Sequence, residues 1–207
     1  MRESEAPESR PYHHGDLRRA LVEAACRLLE KEGAQALSLR AVAREAGVSP
    51  AAPYHHFKDK SELVDAVAHE GWEKLDLAFQ AARDAHTSPP DRVRELGVAY
   101  VCFASQHPDL YRVMYDCSRD KADMPAHVLE NEESAYRRVR EVLVSAGADP
   151  SDEIGLELAA IACWCAAHGL AEMTSFKQFE PLKEALGGEE AFLRGVLAHV
   201  GVFAKGL

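Results

Sequence analysis

Apolar residues recur every three or four positions along most of the chain, which is the spacing of one face of an α-helix. The first such stripe runs from Leu17 to Leu29 and ends near Gly33, with arginine and glutamate on the opposite face. Later stripes begin near Asp59, Ser88, His107, Val128, Asp149 and Gly188. No segment alternates as a strand does, and the sequence contains no internal repeat. We therefore predict an all-α protein of about nine helices.

Residues 38–57 predict two short helices joined by a tight turn. Ser38 is a good N-cap for the first helix, and apolar residues at helical spacing follow it. Gly47 comes directly after this stripe, where a helix commonly ends in the left-handed conformation that glycine adopts without steric cost. Ser49 then caps the second helix, and Pro50 suits its first position because the amide that proline lacks has no partner there. Such a pair forms a helix-turn-helix unit, whose second helix enters the major groove of DNA.

Pro53 interrupts the second helix of this unit. If Ser49 is the cap, Pro53 is the first residue whose amide would bond back within the helix, and its ring crowds the Ser49 carbonyl. We therefore expect a short or irregular helix. The positions that face bases or phosphates are Ser49, Ala51, Ala52, Tyr54 and His55. Because both alanines offer only methyl groups, base specificity is expected to depend on thymine methyl contacts, His55 and DNA shape.

Charge is divided unevenly along the 207 residues, which carry a formal net charge of -10. Residues 10–60 hold 9 basic and 6 acidic side chains, whereas residues 61–207 hold 14 basic and 25 acidic ones. A mildly basic front segment joined to a strongly acidic remainder fits a protein that touches DNA only locally. With 47% hydrophobic residues, the chain has ample material for a folded core.

The sequence argues against a metal site, against export and against a membrane-spanning segment. The five cysteines lie inside apolar helical patterns and lack the paired spacing of a zinc site, so we expect reduced core thiols. His55 and His56 would point about 100° apart on a helix, and we expect neither a metal nor a cofactor. The N-terminus has no apolar leader, and the longest run without a polar residue, 158–167, is about half a membrane span. We expect a cytoplasmic protein with no membrane segment.

Taken together, these motifs resemble the TetR family of transcriptional regulators. The resemblance covers residues 12–72 almost continuously, as a supporting helix, SLRAVAREAGVS, a helix ending in YHHF, and KDKSEL. A shorter match in WCAAHGLA is similar to the subgroup with a Trp, His, Gly signature in its eighth helix, here Trp164, His168 and Gly169.

The resemblance implies both a domain plan and a function. Residues 12–72 would form a three-helix DNA-binding domain, and residues 73–207 a helical bundle for ligand binding and dimerisation. Residues 1–11 are polar with two prolines, and we expect a disordered lead there. The resemblance further implies a homodimer that binds double-stranded DNA at a palindromic operator and usually represses transcription. A small molecule, not identified by the sequence, would enter the second domain and release the DNA.

Individual roles at the DNA also follow from the resemblance. It implies that Tyr54 and Lys58 or Lys60 hold the phosphate backbone, while Ser38 and Arg40 approach from the preceding helix. Alone, such basic side chains would more often be part of a solvated surface. Within this unit, contact with phosphates is the favoured interpretation.

The helix expected over residues 151–174 is apolar on nearly every side, and the core of one monomer does not cover all its faces. We predict that it forms an intersubunit bundle with the last helix. The expected dimer-interface residues are Ala162, Ala166, Gly169, Phe192, Val196 and Val200. The alternative is the central helix of a monomeric bundle.

A small-molecule site needs a mostly apolar lining with a few polar groups. The candidates are Phe103, Tyr111, Met114, Tyr115, Trp164, His168 and Met173. Packing within the core is an alternative explanation for each of them. His168 lies one turn from Trp164 on an apolar helix, so its imidazole must find a hydrogen-bond partner.

An enzyme and a small-molecule-binding protein are the two alternatives to a regulator. Cys165 and His168 are spaced as a nucleophile and a base on one helix, but no third orienting group is evident, so we predict no enzyme. The other alternative is an all-α small-molecule-binding dimer with weak or lost DNA binding, which the short side chains of Ala51 and Ala52 make conceivable.

Overall fold

The computed structural model describes residues 14–119 and 126–203, and the lead predicted over residues 1–11 lies outside them. The described part is helical and contains no strand, which confirms the predicted fold class. Its α-helices are α1 (His14–Glu32), α2 (Leu39–Glu45), α3 (Lys60–Ala85), α4 (Pro89–Gln106), α5 (Pro108–Arg119), α6 (Ala126–Ser145), α7 (Glu153–Met173), α8 (Glu180–Leu186) and α9 (Glu189–Phe203). Short 3-10 helices cover Ala34–Ala36, Ala52–His55 and Lys177–Phe179.

These nine α-helices of the described part are not the nine that the sequence predicts. The second helix of residues 38–57 is a single 3-10 turn, whereas α8 was not foreseen. On α8 the large apolar side chains Leu182 and Leu186 are exposed, so no buried stripe announces the helix. Gly187, with φ of 92°, ends it in the left-handed conformation.

The chain divides into two compact units between Ala66 and Val67. The boundary expected from the sequence lies a few residues later, at residue 72. In the first unit α1 packs against α2 and against the 3-10 helix Ala34–Ala36, and α2 packs against the 3-10 helix Ala52–His55. The buried apolar side chains of this unit include Leu21, Ala24, Leu28, Leu29, Leu37, Leu39, Val42, Ala43, Phe57 and Leu63. This small core holds the helix-turn-helix segment in place.

Side-chain caps define where the helices of the first unit begin. The Ser38 Oγ accepts a hydrogen bond from the Ala41 backbone amide of α2 at 3.2 Å, as expected for an N-cap. At α3, Asp59 Oδ1 accepts from the Glu62 amide at 3.0 Å, and Glu62 Oε2 accepts from the Lys58 amide at 2.7 Å. This reciprocal pair is a capping box. At α7 the cap is Asp152, not Asp149 as predicted.

The second unit is built around α4, which packs against α5, α6, α7 and α9. Its main core cluster consists of Val98, Val101, Leu170, Phe192, Leu193 and Leu197. Glu95 on α4 is only 4% exposed and accepts hydrogen bonds from Arg194 on α9 at 2.9 and 3.1 Å. At Gly97, an added Cβ would lie 3.0 Å from a Leu197 methyl carbon, which shows how closely α4 and α9 approach.

Helix α7 is the one helix in the described ranges that is long and apolar enough, by length and composition alone, to cross a membrane. It packs against α4, α6 and α9, although most of its apolar stretch is exposed or only partly buried in a single chain. Four large apolar residues on it remain exposed in a single chain, namely Ile154, Leu158, Ile161 and, at its end, Met173.

Candidate nucleic-acid interface and aromatic cluster

The turn of the helix-turn-helix segment has the hydrogen bonds of a Schellman motif. After α2, Gly47 adopts φ of 69°, in the left-handed region that the sequence analysis assigned to it. Its amide donates to the Arg44 carbonyl at 3.2 Å, and the Val48 amide donates to the Ala43 carbonyl at 2.9 Å. These bonds satisfy the last carbonyls of α2 and turn the chain towards the recognition segment, Ser49–Lys60.

The recognition segment contains a 3-10 helix at Ala52–His55 where an α-helix from Ser49 was predicted. Ala51 occupies the N-cap position, and no side-chain capping bond is present in this stretch of the described chain. The Ser49 carbonyl accepts from the Ala52 amide at 3.0 Å, three residues on. An α-helical bond to that carbonyl would require an amide on Pro53, which has none. The expected irregularity is therefore present, whereas the predicted Ser49 cap is wrong.

Nearly all the predicted DNA-contacting side chains are open to solvent. The exposed ones are Ser38, Arg40, Ser49, Ala51, Tyr54, His55, Lys58 and Lys60, and Ala52 is partly buried. The Tyr54 side chain is 52% exposed, whereas Pro53 and Phe57 are buried. The guanidinium carbon of Arg18 on α1 lies 5.3 Å from the centre of the Phe57 ring, at cation–π distance. The segment is thus anchored by Pro53 and Phe57 and displays Tyr54.

The basic residues of the first unit fall into two groups. On α1, Arg19 pairs with Glu23 at 2.9 Å, and Arg27 pairs with Glu45 at 3.5 Å. Among the described residues, four cations next to or within the recognition segment make no ion pair with a carboxylate: Arg40, Arg44, Lys58 and Lys60. Unpaired cations are available to phosphates without first breaking an internal contact. Sequence spacing did not reveal this division.

The second unit contains a hydrogen-bonded cluster inside a group of aromatic rings. Tyr100 and Tyr111 each place a hydroxyl near His168 Nδ1, at 2.9 and 2.7 Å, and Tyr100 also bonds the Tyr115 hydroxyl. Trp164 lies 5.4 Å from the Tyr100 ring. We call Trp72, Tyr100, Tyr111, Tyr115, Trp164 and His168 the aromatic cluster. It contains four of the seven predicted pocket residues and satisfies His168, as expected.

Trp72 and Tyr100 are members of the aromatic cluster that sequence reasoning missed. Both share helical stripes with ordinary core residues, and spacing within one helix does not show which rings meet across α3, α4, α5 and α7. Burial raises the pKa of Tyr100, and the neighbouring Tyr115 and Tyr111 raise it further. Its hydroxyl therefore remains a hydrogen-bond donor across the ordinary pH range.

Three predicted pocket residues have other surroundings. Phe103 contacts the His107 ring at 5.3 Å, and Met173 is 45% exposed. Met114 is fully buried beside Gly71 of α3, where an added Cβ would lie 2.6 Å from its sulfur. A separate open groove is lined by Arg140, Glu153, Ile154, Glu157 and Leu158.

The predicted dimer-interface residues differ in exposure. Ala162 is exposed, and Ala166, Gly169, Val196 and Val200 are partly buried. Phe192 is only 3% exposed within one chain, because it belongs to the core between α4, α7 and α9. Around Gly169 there is open space, since an added Cβ would meet no atom within 4 Å.

Cys165 and His168, which are spaced as a nucleophile and a base on α7, have different surroundings. Cys165 is exposed, contrary to the expectation of core thiols, and Cys26, Cys102, Cys163 and Cys165 are free thiols. His168 Nδ1 is occupied by tyrosine hydroxyls. No group of three or more potential metal ligands occurs in the described residues.

Comparisons with known proteins agree with this architecture. The family model of bacterial regulatory proteins of the tetR family matches residues 21–67, and the tetracyclin repressor-like C-terminal domain model matches residues 93–199. A protein with unknown function from Rhodococcus sp. RHA1 is 31% identical, with a TM-score of 0.74 over 95% of this chain and 97% of that one. The TetR family transcriptional regulator PfmR from Thermus thermophilus shares the fold, with 20% identity and a TM-score of 0.60 over 88% and 93%.

A curated relative matches over a shorter stretch. The HTH-type transcriptional regulator BetI from Rhizobium meliloti (strain 1021) is 39% identical over 79 residues, which is 38% of this chain and 39% of that protein's length. The C-terminal family model alone spans more than half of this chain. The chain therefore belongs to the TetR family of bacterial transcriptional regulators, which bind DNA through a helix-turn-helix domain.

Proposed function

We propose that this protein is a cytoplasmic homodimeric repressor that binds a palindromic operator and is released from it by a small molecule. The DNA-binding part rests on four exposed cations that make no ion pair within the described residues. Two of them lie on α2 and two in the recognition segment, namely Arg40, Arg44, Lys58 and Lys60. Phosphate neutralisation by such side chains supplies much of the affinity for DNA. Tyr54 and Ser38 would add hydrogen bonds to phosphates.

Base recognition in this proposal is sparse. Ala51 and Ala52 offer methyl groups to thymine, and His55 is the one exposed polar side chain of the 3-10 turn besides Tyr54. Such a surface would depend strongly on DNA shape at positions that it does not touch. We therefore expect an operator in which A·T steps are prominent.

Dimerisation is supported by the exposed apolar surface of α7. Ile154 is 76% exposed and Leu158 is 63% exposed. The apolar surface continues along α7 through Ile161, Ala162 and Gly169. A second copy would cover this surface, with Ala166, Val196 and Val200 at the edges. Phe192 would act from inside its own chain, by holding α9 in place. Two copies are also what a two-fold symmetric operator requires.

Release of the DNA would use α3, which begins at Lys60 in the first unit and contributes Trp72 to the aromatic cluster of the second. A ligand bound in this cluster would favour a different geometry of α3 and so change the spacing of the two recognition segments. Its effect on DNA affinity is limited to its differential affinity for the two states.

The chain also carries the three residues of a TetR subgroup signature on α7. Trp164, His168 and Gly169 would place the protein in the subgroup with a Trp, His, Gly signature. We infer no catalytic role for Cys165 and His168, because Cys165 is exposed while the imidazole bonds tyrosine hydroxyls.

Selection from random duplex DNA with the purified protein tests the proposal. We expect enrichment of an inverted repeat by the wild type and none by Tyr54→Ala, while both proteins sediment as dimers. Enrichment of no sequence would overturn the DNA-binding part.

A second candidate function is a small-molecule-binding dimer that has lost useful DNA affinity. The observation that favours it is the short 3-10 turn, whose exposed N-terminal residue is only Ala51. Retained dimerisation and ligand binding, together with failed selection, would identify this function.

A further inference from the structure

The indole N–H of Trp72 is an unexplained buried donor. Trp72 is 1% exposed, and its Nε1 has no hydrogen-bond partner among the residues that the structure describes. Buried polar groups are bonded in the great majority of cases, so a buried donor without a partner in its own chain calls for an explanation. Phenylalanine would supply a similar apolar ring at this position without a buried donor.

The Trp72 ring borders the aromatic cluster directly. Its centre lies 5.4 Å from that of Tyr115 in an edge-to-face contact, and 6.2 Å from that of Trp164 in a stacked one. Tyr115 bonds the Tyr100 hydroxyl, which reaches His168. A ligand that contacts the Trp72 ring on the side of Tyr115 would therefore also adjoin the hydroxyl network.

Two tyrosine hydroxyls share one ring nitrogen of His168. The hydroxyls of Tyr100 and Tyr111 lie 2.9 and 2.7 Å from the same Nδ1. A ring nitrogen has one in-plane position for a hydrogen or a lone pair, so it forms one well-aligned bond at a time. A carbonyl oxygen in the cluster would offer these hydroxyls a further acceptor.

The surroundings favour an uncharged partner. His168 apart, the members of the cluster are phenols and indoles, which carry no charge at neutral pH. A buried carboxylate or ammonium would lack a fixed counter-charge from these side chains, which is costly. The rings offer edges and faces to a planar aromatic molecule. A carbonyl oxygen has two lone pairs and can accept from the indole and from one phenol at once.

We propose that Trp72 Nε1 donates a hydrogen bond to the carbonyl oxygen of an uncharged aromatic ligand bound in the aromatic cluster. This inference rests on the proposed function in one respect, that the ligand is the effector that releases DNA. Trp72 lies on α3, next to Gly71, which packs against Met114 of α5. Four residues further on, Asp76 accepts from Arg138 of α6 at 2.7 and 2.8 Å. A ligand that bonds Trp72 therefore acts on α3 where neighbouring helices hold it.

Calorimetric titration with two isosteric probes tests the inference. Acetophenone carries the carbonyl, and α-methylstyrene has nearly the same shape with a C=CH2 group in its place. We expect the wild type to bind acetophenone more tightly than the probe without the carbonyl. The preference is the dissociation constant of the carbonyl-free probe divided by that of acetophenone. Trp72→Phe should reduce this preference by roughly 3- to 10-fold, which corresponds to one net hydrogen bond. Because the ratio is taken within each variant, a general change in packing affects both probes and cancels.

Two variants serve as controls. Tyr136→Phe removes a hydroxyl that bonds Glu157 at 2.7 Å, from a ring that also contacts Trp164, and should leave the ratio unchanged. Trp164→Phe should weaken both probes together, since it removes stacking surface. An unchanged ratio in Trp72→Phe, no binding of acetophenone to the wild type, or tighter binding of benzoate or benzylammonium would overturn the inference. The titrations contain no DNA, so a failed operator selection would refute the proposed function without affecting them.

Discussion

Removing the two unpaired lysines of the recognition segment should change how DNA binding depends on salt. The four free cations of each chain, Arg40, Arg44, Lys58 and Lys60, become eight in a dimer. If each meets one phosphate, log K falls with log salt with a slope of about -7, a loss of roughly 10⁴ in affinity between 50 and 200 mM. In Lys58→Gln/Lys60→Gln four contacts per dimer are lost, and the slope should fall to about -4.

Fluorescence anisotropy with the selected operator, titrated at several potassium chloride concentrations, measures these slopes. Lys31→Gln is a matched control, because Lys31 is an exposed lysine of the same unit that lies 3.9 Å from Glu32. Its slope should equal that of the wild type. If the double variant kept the wild-type slope, or if Lys31→Gln lowered it equally, the assignment of phosphate contacts to the unpaired cations would be refuted.

Three further predictions concern stability and assembly. Ser38→Ala should lower the free energy of unfolding by about 1 kcal/mol in urea, because α2 loses its cap, whereas Ser38→Asp should keep stability but weaken operator binding; equal stability of Ser38→Ala and wild type would contradict the cap. Burial raises the pKa of Glu95, but the hydrogen bonds and charge of Arg194, together with Arg94 and His86, outweigh this effect and hold the pKa below the ordinary 4.5. Glu95→Gln should therefore cost about 1–3 kcal/mol at pH 7, and its difference from wild type should shrink as the pH falls through the depressed pKa; a difference independent of pH would argue against the ion pair. Ile161→Glu should sediment as a monomer. Leu77 on α3 is also a large, exposed apolar residue, and Leu77→Glu should stay dimeric. A dimeric Ile161→Glu would exclude the proposed α7 interface.

The helices that the sequence predicts well are those with a buried stripe and a side-chain cap. α1 to α3 follow from the apolar spacing, from Ser38, and from the capping box of Asp59 and Glu62. α8 was missed because its leucines face solvent in one chain. At Pro53 the pattern predicted a defect but not its form, since the choice between a short α-helix and a 3-10 turn depends on which carbonyl each amide reaches.

Contacts between distant parts of the chain were harder to predict. The sequence singled out Tyr111, Tyr115, Trp164 and His168, yet Trp72 and Tyr100 meet them only because of how four helices cross. The pairing of charges is equally three-dimensional, since Arg27 finds Glu45 on another helix while Arg40 finds no carboxylate in the described chain. Periodicity identifies which face of a helix is buried, but not which residue of a neighbouring helix it meets.

Operator spacing gives the most direct test of the central claim, that two copies of one recognition segment engage a single face of the duplex. Affinity should be measured for the selected operator and for a version with five base pairs inserted between its half-sites, about half a helical turn. This arrangement predicts that the insertion lowers affinity to that of a single half-site. Equal affinity for the two duplexes would contradict it.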